Sequence, residues 1–389
     1  MNDYAPWLEA NDRYLAGALA ELRARLERAA QRHDTPPAAP AAATALMESA
    51  PAVSTPAGPK HYWVARLFGG QHVPPSLAAA AADEPPAAPP LVAAVPDDGT
   101  TAAAPDDDEG DHTPALAVLA NRLGLSTFER DVLLLCIGME LDTRFPALCA
   151  QAQHDPARPY PTFALAFAVL DAPSWDALSP QRPLRYWRLL DIHQPGAQPL
   201  IGAALSADER VVNFVKGMNY LDDRLTPLLT ALPPATLPPS QQAVADQLLD
   251  SLHHVPPGEP LPLVQLLGSD SVSKQAIAQA IAAAFGAQAY RLSAELLPAA
   301  VAEQETLLRL WQRESQLLPL ALYLDAAEVE HGDAAAAWVR RFLARTGGLA
   351  FVDAREPWAG AATQALSVDV AKPTAVEQRS LWQRLLGDA

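Results

Sequence analysis

The sequence predicts a mainly α-helical domain over 113–232, then an α/β domain with a parallel sheet over 240–389, both behind an Ala/Pro-rich N-terminal region. Three observations predict it. From residue 263 onward, short apolar runs (VQLLG, AYRLSA, LALYLD, LAFVDA, LSVDV) alternate with helical segments. Buried strands separated by helices form a parallel sheet covered on both faces. Between 114 and 216 helical segments come first, and two extended runs, RYWRLLDI and PLIGAALS, then flank the turn HQPGAQ as a hairpin. Before 112, Ala and Pro dominate, so little apolar surface can be buried and disorder is expected.

Composition bounds the function classes. At 389 residues the chain exceeds a single core, since cores stop growing near ~250–300 residues. The net charge of −17, from 45 acidic and 28 basic residues, argues against nucleic acid and anionic membranes, because the phosphate term would be repulsive. No basic head with an apolar run opens the chain, and no stretch reaches the ~18 apolar residues of a membrane helix. A cytoplasmic location is expected. Cys136 and Cys149 lie in or beside apolar helical sequence without a CxxC, which reads as two buried thiols rather than a redox pair.

The elements follow in order. Over 1–30 a helix carries Leu8, Leu15 and Leu22 at sevenfold spacing, with Leu19 and Leu26 between and Asp12 interrupting. It either docks on the chain's own body or serves association with a partner. Residues 31–112 read as linkers, with an aromatic segment, HYWVARLFGG (61–70), expected to dock on a neighbouring domain. Ser126 and Glu129 form a capping box ahead of FERDVLLLCIGMELD, and helices follow at 144–153 and 162–170. Ser206 and Glu209 form a second box ahead of RVVNFVKGM. Helices followed by a hairpin make the order of a winged helix. Its candidate recognition helix, PTFALAFAVL, holds no residue that reads a base edge. Arg182, Arg185 and Arg188 are the phosphate-contact candidates, against the plainer reading of arginines paired with nearby acids. A protein-contact winged helix is the better reading.

The chemistry concentrates at 261–285. A strand ends at Gly268, a loop runs through Ser269, Asp270, Ser271, Val272 and Ser273 to Lys274, and Gln275 opens an alanine-rich helix. That order is the phosphate-cradling P-loop, G-x-x-x-x-G-K-[ST], in which backbone N–H groups and a helix N-terminus hold phosphate oxygens. Gly268 and Lys274 keep the spacing, while Ser273 replaces the second glycine and Gln275 the Mg²⁺-binding hydroxyl. Lys274 reads as a phosphate contact, or alternatively as a surface lysine at a helix start. Asp325 closes LALYLD as a Mg²⁺-holding aspartate would, or it merely ends a strand. Ala326 stands where a catalytic glutamate is usual, and Glu328 lies three beyond Asp325. LAFVDAREP puts Asp353 and Ala354 at the expected sensor positions and leaves Arg355 to stabilise charge in trans or to pair with a neighbour. Thr374 and Glu377 form a third capping box, so Glu377 and Arg379 read as structural.

Taken together, GSDSVSKQ, LALYLD, LAFVDAREP and VDVAKPTAVEQRSLWQRLL resemble the core of an AAA+ ATPase over about 240–389. With LGLSTFERDVLLLCIGMELD, RPYPTFALAFAVL and RPLRYWRLLDI, the chain resembles the winged-helix-bearing AAA+ ATPase of extracellular contractile injection systems. The resemblance implies a degenerate first AAA+ module of a ring-forming protein that acts on injection-particle components. It also implies an ATP site at Gly268–Gln275 and magnesium on Asp325. On that resemblance the helical lid and second module are missing, so either an N-terminal portion of a longer protein or a truncated gene is expected. Because Ser273, Gln275, Ala326 and Ala354 depart from a working site, little or no hydrolysis is expected. Two alternatives stand beside this reading. One is a competent ATPase with Asp325 on Mg²⁺ and water in place of the hydroxyl. The other is a winged-helix protein- or nucleic-acid-binding module without nucleotide chemistry.

Overall fold

In this structure, a computed structural model, residues 4–34, 113–256, 258–330, 332 and 334–386 are described. The linkers expected within 31–112 from residue 35 onward, and the aromatic segment 61–70, lie outside them. The first helix, α1 (Tyr4–Asp34), lays Leu15, Leu19, Leu22 and Leu26 into a core shared with the domain that follows. Asn11 fixes its register: its amide donates to the carbonyl of Val215 (2.9 Å) and its side-chain oxygen accepts from the N–H of Ala115 (2.8 Å). The leucine stripe thus faces the chain's own body, and Asp12 beside it pairs with Lys216.

The next domain runs through α2 (Ala115–Leu123), α3 (Thr127–Leu141), α4 (Phe145–Ala152), α5 (Phe163–Val169) and α6 (Pro183–Tyr186). An antiparallel hairpin of β1 (Leu190–His193) and β2 (Ala204–Ala207) follows, and then α7 (Glu209–Val215). The capping box that starts α3 is reciprocal: Ser126 Oγ accepts from the N–H of Glu129 (3.2 Å), and Glu129 Oε2 accepts from that of Ser126 (2.9 Å). Two expectations change here. RYWRLLDI is extended only from Leu190, because Pro183 sits in the first helical turn of α6, where its missing N–H costs nothing. The Ser206–Glu209 box does not form. Ser206 lies in β2 opposite Asp191 and bonds His193 Nε2 (2.8 Å), and Asp208 takes the N-cap position of α7 without a side-chain bond to the helix. Cys136 and Cys149 are free, buried thiols.

The second domain contains β3 (Leu229–Ala231), α8 (Pro239–His253), β4 (Leu263–Leu267), α9 (Ser271–Ala284), β5 (Gln288–Ser293) and α10 (Val301–Leu317). It continues with β6 (Leu320–Asp325), α11 (Ala334–Arg345), β7 (Leu349–Ala354), β8 (Ala365–Asp369) and α12 (Ala375–Leu386). The strands lie in the order β3-β5-β6-β7-β4-β8. All neighbours are parallel except β3, which runs antiparallel to β5. The sheet is therefore mostly rather than wholly parallel. β3 is a three-residue edge in a Pro-rich stretch, too short for periodicity to reveal. Alternation along the strands divides the core. Leu322, Leu324 and Val352 face Leu308, Trp311 and Phe342 of α10 and α11. Tyr323, Phe351 and Val264 face Leu248 and Ile277 of α8 and α9.

The two domains meet along α10. Arg313, fully buried, donates to Asp222 (2.5 Å), to Asp208 (3.3 Å) and to the carbonyl of Arg188 (3.1 Å) at the end of α6. Arg210 pairs with Glu314 (3.0 Å), and Arg224 pairs with Asp208 (2.8 Å) and Asp222 (2.6 Å). Buried Arg210 and Arg313, with Arg224 reaching in from the exposed side, pair all three buried carboxylates. A buried charge without such partners would cost several kcal/mol.

Candidate functional site

In open parallel sheets, ligands bind outside the carboxyl ends of the strands, where the connections diverge. Here that point is the exit of β4, which has β7 on one side and β8 on the other. The expected phosphate loop leaves the sheet at this exit. It is short: α9 begins at Ser271, three residues ahead of Lys274, so only Gly268, Ser269 and Asp270 stay outside the helix. The backbone N–H of Lys274 bonds the carbonyl of Asp270 (3.2 Å) as part of the helical ladder. An N–H committed to the ladder does not face a ligand.

Gly268 has its own structural reason. Its φ is +116°, and a Cβ there would lie 2.8 Å from the backbone oxygen of Val370, at the exit of β8. Asp270 caps α9 without a side-chain bond to its N–H groups; its carboxylate accepts from Ser273 Oγ (2.6 Å). The amide of Gln241, from α8, also donates to Ser273 Oγ. Ser273 is buried, Val272 is 77% exposed, and Gln275 is half-buried.

Lys274 is fully buried. Its Nζ donates to the carbonyl of Gly268 (2.7 Å) and forms an ion pair with Asp353, which is also fully buried. The other carboxylate oxygen of Asp353 accepts from Tyr323 Oη (2.6 Å). Burial first, and then the Asp353 charge, push the Tyr323 phenol far above its usual value, so the hydroxyl remains a donor. Register explains the meeting: Leu266 on β4 lies opposite Asp353 on β7, and Tyr323 on β6 lies opposite Phe351.

Asp325 ends β6 opposite Asp353 in register, yet it is held from the other side. Arg291 of β5 donates two bonds to its Oδ2, at 2.5 and 3.0 Å. Arg355 pairs with Glu328 (2.5 Å) at the surface, both side chains being exposed. A cavity of about 380 Å³ opens beside the exits of β6 and β7, with Glu328, Glu330, Arg355 and Glu356 in its wall and none of residues 268–275. The sequence-predicted residues therefore divide into an internal group (Gly268, Ser273, Lys274) and a rim group (Asp325, Arg355) whose charges are already paired.

Sequence reasoning missed Asp353 as the partner of Lys274, and Tyr323 as the second partner of Asp353. An aspartate closing an apolar run with no glycine or proline after it was the signal, since such a buried carboxylate requires a counter-charge. Gln265 was also missed. It is buried in β4, and its side-chain oxygen accepts from the N–H of Trp358 (2.7 Å), pinning the segment after β7.

On the helical domain, each of the three candidate phosphate contacts already has a partner within the chain. Arg182 pairs with buried Glu129 (2.7 Å), Arg185 donates to the carbonyl of Leu178 (2.5 Å), and Arg188 donates to Thr306 (2.7 Å). In α5, Phe163, Leu165 and Ala166 are buried. These features define a winged-helix domain joined to a mostly parallel α/β sheet domain. A family model described as "Winged helix domain, variant" matches residues 102–229. No curated protein matches the chain. No helix among the described residues is long and apolar enough to cross a membrane.

Proposed function

We propose that this chain is a degenerate, non-hydrolysing AAA+-like module of a ring-forming assembly, and that it works by protein contact. Its client is a component of a contractile injection particle, recruited through the winged-helix domain. The observation that carries this reading is the state of Lys274: its ammonium is neutralised by Asp353 and capped by the carbonyl of Gly268. A phosphate would have to displace a buried carboxylate to reach it.

The residues present do not fit a magnesium triphosphate. The loop that should cradle phosphate is absorbed into α9, and Asp270 puts a carboxylate at the helix N-terminus, where an anion would sit. Gln275 supplies no hydroxyl for the metal, and Asp325 is held by Arg291. The adjoining rim cavity carries three glutamates against one arginine in its wall, a field that repels triphosphate. The engagement of Arg182 by Glu129, of Arg185 by the Leu178 carbonyl and of Arg188 by Thr306 supports a protein client over nucleic acid.

A titration of fluorescent ATP analogue with Mg²⁺ into the whole chain tests the reading. The expected result is no saturable binding at micromolar nucleotide and no phosphate release. Micromolar binding that disappears in folded Lys274→Met protein, or turnover lost in Asp325→Ala, would overturn it.

A further inference from the structure

The face of a winged helix that usually meets its ligand lies between the recognition helix and the wing. In this chain that face is apolar. Trp175, in the single helical turn Trp175–Leu178, is 68% exposed. Its ring stacks on Phe167 (5.7 Å between centroids, planes 8° apart), and Phe167 stacks on Phe128 (5.4 Å, 10°). Phe128 is buried in the core. The exposed indole is thus the outer member of a three-ring stack rooted in the domain, held in place before any partner arrives. A pre-ordered aromatic loses little entropy on binding.

Beside it opens a cavity of about 480 Å³, walled by Trp175, Leu178, Pro199, Leu200 and Ile201, the last three from the segment between the hairpin strands. Its one ionisable wall residue is Asp176. Arg182 is shared between two carboxylates, lying 3.4 Å from Asp176 and 2.7 Å from buried Glu129. The Ser174 hydroxyl, and then Arg182, hold the Asp176 carboxyl below its usual value, so it stays charged. Its side chain is 55% exposed. With one arginine for two carboxylates, the site combines an aliphatic–aromatic pocket with one negative charge in excess. Phosphate backbones are repelled by that charge and find no cation in the wall.

We propose that this cavity docks a protein segment that inserts one bulky apolar or aromatic side chain against Trp175 and sets an adjacent Arg or Lys on Asp176. The proposal rests on the reading of the winged helix as the client-recruiting part and names the surface and the chemistry of the client. Exposed tryptophans over pockets are the residues around which binding energy concentrates.

The test is selection of a random 12-residue peptide library on the whole chain, followed by affinity measurement of the enriched peptides on variants. The expected consensus is a bulky apolar residue beside a basic one. Trp175→Ala should weaken binding at least about tenfold, as hot-spot truncations do, and Asp176→Asn several-fold. Leu200→Ser serves as a second pocket variant, and circular dichroism confirms each fold. Peptides that bind Trp175→Ala and Leu200→Ser as tightly as wild type, or an acidic consensus, overturn the proposal. So does loss of a self-associated species in Trp175→Ala during sedimentation, which would make a second copy the occupant, or Trp175-dependent binding of duplex DNA. A library with no Trp175-dependent peptide removes this docking site and leaves the reading of Lys274 standing. Nucleotide binding at Lys274 would do the reverse.

Discussion

Lys274 and Asp353, 79 residues apart in the chain, neutralise one another where β4 and β7 leave the sheet, and neither side chain reaches solvent. The relationship makes the lysine at the exit of β4 part of the core. It also makes each partner dependent on the other.

Replacing Lys274 by Met should therefore cost about 3–5 kcal/mol, because Asp353 is left charged and buried. Adding Asp353→Asn keeps an acceptor for Tyr323 and removes the stranded charge. The double variant should recover more than half of the loss in urea unfolding. Strictly additive losses would show that the two groups do not interact.

Gly268→Ala should destabilise by about 1–3 kcal/mol, through both the left-handed backbone and the contact with the Val370 oxygen. Gly286→Ala is the control. Its φ is also positive, at +68°, but a Cβ there meets open space, so its cost should be smaller. Equal losses in thermal unfolding would remove the Val370 contact as the reason for glycine at 268.

In the ionic cluster at α10, two carboxylates are perturbed in opposite directions. Burial raises the Asp222 carboxyl, but hydrogen bonds and charge from Arg224, together with Arg313, outweigh it and hold the group below its usual value. Burial dominates for Glu314, which is raised despite Arg210 and Arg313. The contribution of Asp222 is thus complete above the unfolded carboxylate pKa and is lost as pH falls through its depressed folded value. For Glu314 the ionised form is the disfavoured one in the folded chain. At neutral pH, Asp222→Asn should cost more than Glu314→Gln in calorimetry, and wild type should unfold both domains in one transition. A larger loss from Glu314→Gln would reverse the assignment.

Glu377 joins two helix starts. Its carboxylate accepts from the N–H groups of Ser240 (2.7 Å) and Thr374 (2.8 Å), which draw its pKa from the usual 4.5 down to about 2. The folded value is depressed, so its contribution is present above about 4.5 and is lost as pH falls toward 2. A carbon-detected NMR titration should place the Glu377 midpoint near 2. A midpoint near 4.5 would mean that α8 and α12 are not tied there in solution.

Much of this fold is legible in the chain because its causes are local. The strand–helix alternation after 263, the Ser126–Glu129 box and the Thr374–Glu377 box each rest on residues within a turn or two of one another. Gly268 and Lys274 also keep a readable spacing. That spacing does not say what the lysine meets. The helix claims the backbone from Ser271, Val370 dictates the glycine, and strand order carries Asp353 beside Lys274. The winged helix is legible as an order of elements, whereas the burial of Arg313 among Asp208, Asp222 and Glu314 is not. The sequence by itself determined the elements, since propensity, periodicity and capping act over a few residues. Only the tertiary structure decided which charges face each other, because buried ions choose partners by proximity in space, and that proximity is created by the order of strands in the sheet.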